Sequence, residues 1–385
     1  MVVSYDKSFL LKVYIFITII LHFLYYSLGR YLDSRLETIY LIFSINNIIF
    51  SILFFIREDK FKYILAFSFI ILSVFYGYLR NGFNLNIITD TVQIVNIFCL
   101  VVILKHIDKE LLLKAILLLA ITSLLAGIVS YFNLGYFQFG FKPISHVAPV
   151  FIFYKFLTNK KFLYLLIFIL CFFLLLVNGR RTNLILCVLG ITLLLLKYKP
   201  VLFIYSILTF SIIFFGATHL NKSKHIEFES LNRIIDGVKG KNESLLIRYA
   251  EVKSSLKEMN KKPILNFLFG RGVGSTFKLE ANFEITDKRI LEKIDNTRHI
   301  HFSPMNLFFK YGIISILYII YFCILLINHF REKDFSFFLL SLCILLTLID
   351  SFFRSVFVDT LSLLFIALCF CVQSKFQSIN NLTHI

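Results

Sequence analysis

Two histidines and an arginine stand together in the run Arg298-His299-Ile300-His301, just before an apolar segment that opens at Pro304. They close the only long polar region of a very apolar chain, so they sit where water meets a hydrophobic phase. Polar groups are costly at such a junction. A metal would need a third ligand, and Asp295, the nearest carboxylate, stands at no recognisable metal spacing, so no metal is expected. A second reading makes both imidazoles interfacial side chains satisfied by water and headgroups. The third is acid–base chemistry, since an imidazole titrates near neutral pH and can take a proton from a hydroxyl bonded to it. His301 is the expected base, with His299 as a helper or a structural neighbour.

The region that must position these residues is residues 218–303. Residues 242–259 carry Leu245, Leu246, Tyr249, Val252, Leu256 and Met259 at helical spacing, which predicts an amphipathic helix with Arg248 near its apolar face and Pro263 placed to stop it. Phe269-Gly270-Arg271-Gly272-Val273-Gly274-Ser275 follows as a glycine-rich turn. It can offer backbone N–H groups to an anion, although the Walker and dinucleotide patterns are both missing and a plain loop is the commoner meaning. Residues 278–296 read as a charged, partly helical, solvated face.

Composition sets the frame. With 385 residues, 58% of them hydrophobic, only 16% charged and a mean hydropathy of +0.81, the chain is expected to be an all-α polytopic membrane protein. The net charge of +17 is scattered through short loops and forms no long basic run, so no nucleic-acid partner is expected. The seven cysteines lie in or beside apolar runs, which argues against a disulfide framework. Apolar runs near the length needed to cross a bilayer fall at 9–28, 38–56, 63–79, 87–104, 111–132, 145–158, 162–178, 183–196, 201–217, 304–328, 336–350 and 354–373. About twelve transmembrane helices are therefore expected, with one large, partly helical periplasmic loop between the ninth and tenth. This divides the chain into a bundle at 1–217, the loop at 218–303, and C-terminal spans with a cytoplasmic tail at 304–385. The first apolar run is expected to be a retained span, since no small-residue cleavage site follows it.

Lys and Arg in the short loops place both termini in the cytoplasm. The loops assigned to the outside hold Arg30, Arg35, Arg80, Lys142, Arg180, Arg181 and Arg354, whereas the inner loops are almost wholly lysine. Topology needs only positive charge and does not distinguish the two. Arginine offers a planar fork suited to phosphate and carboxylate, so an outward anion site at the membrane surface is expected.

Several of these residues together resemble the O-antigen ligase and polymerase superfamily. They are Arg248 on a loop helix, the Phe269-to-Gly274 turn, His301 followed eleven residues later by Gly312 at the head of an apolar run, and Asn178-Gly179-Arg180-Arg181-Thr182-Asn183 between two earlier spans. The likeness covers residues 178–183 and 244–316. Two positions depart from it: Phe302, with Ser303 behind it, stands where ligases usually carry Asn, Ser or Gln, and Ser315 follows Gly312 where a small residue or Tyr is favoured.

The resemblance implies a glycosyl transfer at the outer face of a bacterial inner membrane, with no cofactor, from an oligosaccharide linked through pyrophosphate to a polyprenyl lipid. The implied catalytic residues are His301 and Arg248. Arg181, Arg180, Arg271, Arg80, Arg354 and His299 are the expected contacts to pyrophosphate or sugar. A polymerase joins such chains, working with a chain-length regulator; a ligase passes the chain to lipid A-core. The departure at Phe302 favours the polymerase. A transporter of the same lipid ranks lower, because its usual midplane charges and internal repeats are not found. A scaffold without chemistry predicts that His301 is dispensable.

Overall fold

A computed structural model describes residues 7–28, 36–55, 61–104, 107–134, 144–177, 181–204, 211, 215, 243–280, 294–298, 300–330 and 335–351. They form α1 (Lys7–Leu28), α2 (Leu36–Phe55), α3 (Phe61–Asn81), α4 (Leu85–Leu104), α5 (Lys109–Leu134), α6 (Ile144–Asn159), α7 (Phe162–Val177) and α8 (Arg181–Tyr198). After these come α9 (Glu243–Met259), α10 (Pro263–Phe269), α11 (Ser303–Tyr311), α12 (Ile313–Phe330) and α13 (Phe335–Ser351). Among the described residues the β pairing is one antiparallel bridge, Phe277 to Thr297, so the all-α expectation holds. The first eight helices coincide with the first eight expected spans to within a turn at each end. The last expected span, 354–373, and most of 201–217 lie outside the described residues.

Helix α6 is the centre of the bundle, packed by α5, α7, α8 and α13. Its Val147, Ala148, Val150, Phe151 and Ile152 are fully buried. Around α1, α2 and α4 a polar ladder runs through the apolar interior. Tyr14 donates to Asn47 Oδ1 (2.8 Å), Asn47 Nδ2 to Asn96 Oδ1 (3.2 Å), and Asn96 Nδ2 to Ser44 Oγ (2.9 Å). Such side chains join helices where packing against lipid gives no hydrophobic gain.

The outward faces are apolar as well. Ile45, Ile49 and Ile52 on α2, Leu72, Phe75 and Leu79 on α3, and Leu166, Ile169 and Phe173 on α7 are all exposed. Continuous apolar surface of this extent suits lipid rather than water. Among the described residues two helices, Leu85–Leu104 and Glu110–Val129, meet both the length and the hydropathy needed to cross a bilayer. Ile42–Phe54, Phe162–Leu176, Thr182–Tyr198 and Phe338–Asp350 are apolar but shorter.

Three expectations need correction. The run 304–328 is two helices, α11 and α12, separated at Gly312, which adopts φ 62° and ψ −146°. Pro263 opens α10 in its first turn and does not stop α9; a turn at 260–262 does that. Proline suits a first turn because its missing N–H would have no helical partner there. The side of α9 that is buried is also not the predicted stripe: Leu246, Tyr249 and Leu256 are exposed, while Ile247, Ala250, Glu251, Ser254 and Ser255 are buried. Among the described side chains of that stripe Met259 alone is buried, beside Phe277, Leu279, Ile300, Met305 and Phe309 in a second, smaller core.

Gly270 and Gly312 allow that second core to close against the bundle. Both occupy backbone conformations that only glycine visits readily, and a Cβ on Gly312 would lie 2.5 Å from the Leu268 carbonyl oxygen. Gly312→Ala is expected to destabilise the protein by about 1–3 kcal/mol from backbone strain alone, with the clash in addition. Thermal unfolding of the purified protein followed by size exclusion reads this directly. An unchanged midpoint would show that the α11–α12 break is not needed.

Candidate active site

Residues 300–302 are held between α9 and the start of α11. Ile300 N–H donates to Asn306 Oδ1 (3.2 Å), and Asn306 N–H to the Phe302 carbonyl (3.0 Å). Phe302 packs against the second core, so the residue that departs from the ligase pattern fills an apolar place. His301 is tied twice to one carboxylate. Its backbone N–H donates to Glu251 Oε2 (2.8 Å), and its Nδ1 lies 2.7 Å from Glu251 Oε1. A carboxylate in its ionised form only accepts, so in that pairing Nδ1 is the donor and Nε2 is the ring nitrogen left to accept. Glu251 is 4% exposed and the His301 side chain 49% exposed, which fixes one end of the ring inside and leaves the other open. A carboxylate holding one imidazole nitrogen so that the other can take a proton is the logic of a general base and its orienting partner.

Arg248 is half-buried one turn before Glu251 on α9. Residues three apart on a helix share a face with Cβ atoms about 5–6 Å apart, so Arg248 stands on the same side of α9 as Glu251. Thus α9 carries both a cation and the carboxylate that holds His301.

Below this pair lies a buried charge cluster. Asp90, in the second turn of α4 and 1% exposed, accepts from Arg298 (2.6 Å) and from Lys310 Nζ (2.8 Å) through Oδ1, and from the Gly274 N–H (2.8 Å) through Oδ2. One span thereby holds the loop, the histidine segment and α11 at a single carboxylate. Arg80 donates to the Tyr76 hydroxyl (2.7 Å) and the Gly270 carbonyl (3.2 Å), and Asn81 Nδ2 reaches the Arg271 and Val273 carbonyls (3.1 and 3.0 Å). The α3–α4 turn is the loop's docking surface.

The glycine-rich turn spends its N–H groups inside the protein. Those of Gly270, Arg271, Gly272 and Gly274 donate to the Asn266 carbonyl, the Phe309 carbonyl, the Lys310 carbonyl and Asp90. The anion-cradle reading is therefore corrected: the turn is a packing device. Arg271 pairs with Glu258 (2.9 Å), and Glu258 also meets Lys261 (2.6 Å). On the rim, Lys257 donates to Glu280 (2.7 Å) and holds its carboxyl below the usual range, while the bond from Lys278 to Asp295 raises that lysine. Asp295 is thus occupied by Lys278, and among the described residues no group of three potential metal ligands occurs.

Of the expected site residues, the structure places Arg248 on α9, the helix whose Glu251 holds His301, and sets Arg80 and Arg271 where the turn docks. Arg181 heads α8. Arg180, His299 and Arg354 lie outside the described residues. Sequence reasoning missed Glu251 and Lys310, and the anchoring roles of Asp90 and Arg298. The available signals were a carboxylate one turn after Arg248 and lone charges, Asp90 and Lys310, inside apolar runs.

The fold and the site define a helical membrane protein with a carboxylate-held histidine at the junction of a polar loop and an apolar helix. The family model described as O-antigen ligase matches residues 166–320, so this stretch is similar to that family and supports the resemblance to the O-antigen ligase and polymerase superfamily. That stretch includes Arg181, Arg248, the glycine-rich turn, His301 and Gly312. No curated protein and no solved structure matches the chain. An O-antigen ligase or polymerase type of function, acting on lipid-linked sugars in a membrane, is what the family supports.

Proposed function

We propose that this protein is a polymerase of oligosaccharide repeat units carried on polyprenyl pyrophosphate, working at the outer face of the inner membrane. The observation that carries the reading is the Glu251–His301 pair with its open imidazole nitrogen. The acceptor sugar hydroxyl gives its proton to His301 Nε2 as its oxygen bonds to the anomeric carbon of the donor. The bond from that carbon to the pyrophosphate oxygen breaks, and polyprenyl pyrophosphate leaves with the electron pair. Arg248, with Arg181 at the head of α8 and its sequence neighbour Arg180, is assigned to the charge that grows on the leaving pyrophosphate, where fixed cations act most strongly away from bulk water. Docking of the loop on the α3–α4 turn supports the outward assignment, because the lysine and arginine distribution puts both on one side.

Transfer of the finished chain to lipid A-core is the second reading, favoured by the description of the matching family. Complementation of a deletion strain, read on a lipopolysaccharide gel, separates the two. A polymerase restores a ladder where the deletion shows core plus one repeat. A ligase restores chains where the deletion shows bare core and chains held on the lipid carrier. Glu251→Gln is expected to lower the rate by on the order of 10²-fold or more by removing the charge that orients the ring, at unchanged membrane level. Unaltered ladder formation in that variant would remove the dyad from the mechanism.

A further inference from the structure

Helix α10 is built inside out for a helix in water. Its sequence is Pro-Ile-Leu-Asn-Phe-Leu-Phe, and the buried side chain is the polar one, Asn266, whose Nδ2 donates to the Met259 carbonyl at 2.6 Å. Ile264, Leu265, Phe267, Leu268 and Phe269 are all exposed, Ile264 to 78%. A helix facing water turns its apolar side inward, so this surface has a non-aqueous occupant.

The position of α10 identifies that occupant. The Phe269 ring lies 6.0 Å from Tyr76, which is five residues, or about 7.5 Å, short of the α3 end at Asn81. The Leu268 carbonyl abuts Gly312, immediately before α12 begins. Helix α10 is therefore level with the ends of two spans, α3 and α12, whose own outward residues Phe75, Leu79 and Leu317 are exposed and apolar. Its exposed face continues their lipid-facing surface. Lys262, exposed at its N-terminal end, has the length to reach a headgroup while its stem stays among apolar groups.

We propose that α10 lies in the outer leaflet, its Ile264–Phe269 face against lipid acyl chains, and so anchors the catalytic loop to the membrane surface at the height of the donor's pyrophosphate. The chain contains no tryptophan, so Ile264→Trp introduces a sole indole reporter. The full-length variant is reconstituted into phosphatidylcholine vesicles with or without bromine on the acyl chains, and its fluorescence is compared with that of Lys278→Trp. Quenching of Ile264→Trp by brominated chains several-fold greater than by aqueous iodide, with the reverse for Lys278→Trp, is the expected result. Phe267→Trp gives the same reading if the first variant fails to fold. Three outcomes overturn the proposal: quenching by iodide to the extent seen at Lys278→Trp, access by neither quencher as cover by another part of the chain would give, or lipid quenching that fades as protein density rises, as a second copy would cause.

Discussion

Replacing His301 by alanine is expected to lower glycosyl transfer by about 10²- to 10⁴-fold while leaving the protein folded in the membrane. The size follows from the role. A sugar hydroxyl is a weak nucleophile, and a positioned base contributes that range by removing its proton as the new bond forms. The selectivity follows from the geometry. His301 is half-exposed, and its side-chain bond is to Glu251, so removing the ring opens no core cavity and leaves the second core of Met259, Phe277, Ile300 and Phe309 packed. Glu251 keeps the His301 backbone N–H as a partner. His301→Gln, which offers polar groups without the titration, is expected to be nearly as inactive as alanine. A merely interfacial histidine would tolerate that change, so the two substitutions read together separate chemistry from solvation.

Asp90→Ala is expected to act on stability instead, by about 3–5 kcal/mol, because it leaves buried cations without their counter-charge. Lys310 is 4% exposed, and Arg298 and the Gly274 N–H share the same carboxylate. Lys310→Met is expected to cost much less, since Asp90 still accepts from Arg298 and Gly274 while an apolar side chain of similar length fills the lysine's place. Asp90→Leu combined with Lys310→Met should recover part of the loss, the partly exposed Arg298 being able to turn toward water. Thermal midpoints of the purified variants measure this order. Equal midpoints for Asp90→Ala and the parent protein would mean that the loop is held to α4 by packing and not by charge.

The bundle was legible because a run of Leu, Ile and Phe near twenty residues bounded by Lys or Arg leaves a chain little choice but a helix. The first eight helices follow from that rule alone. Residues 304–328 failed under the same rule, since hydropathy does not register the backbone turn at Gly312 that separates α11 from α12. The period of α9 predicts the helix, but not which side it buries: Leu246, Tyr249 and Leu256 of the apolar stripe are exposed. The buried face instead carries Glu251, Ser254 and Ser255, small or polar groups that fit against the loop. The same inversion recurs in α10, and in a protein lying at lipid the rule that apolar residues turn inward loses its direction. His301 was legible from its type and its place at the edge of an apolar run. Its partner was not, because fifty residues separate Glu251 from His301 and no local period links them. The bond from Asp90 to Lys310, across more than half the chain, was hidden for the same reason.

The most direct measurement of the central claim is transfer by the purified protein in vesicles, given a polyprenyl-pyrophosphate-linked repeat unit as both donor and acceptor, with wild type, Glu251→Gln and His301→Ala compared. The account predicts lengthened lipid-linked glycan and released polyprenyl pyrophosphate from the wild type, a strongly slowed Glu251→Gln, and almost none from His301→Ala, with donor bound by all three. Lengthening by His301→Ala at the wild-type rate would contradict it.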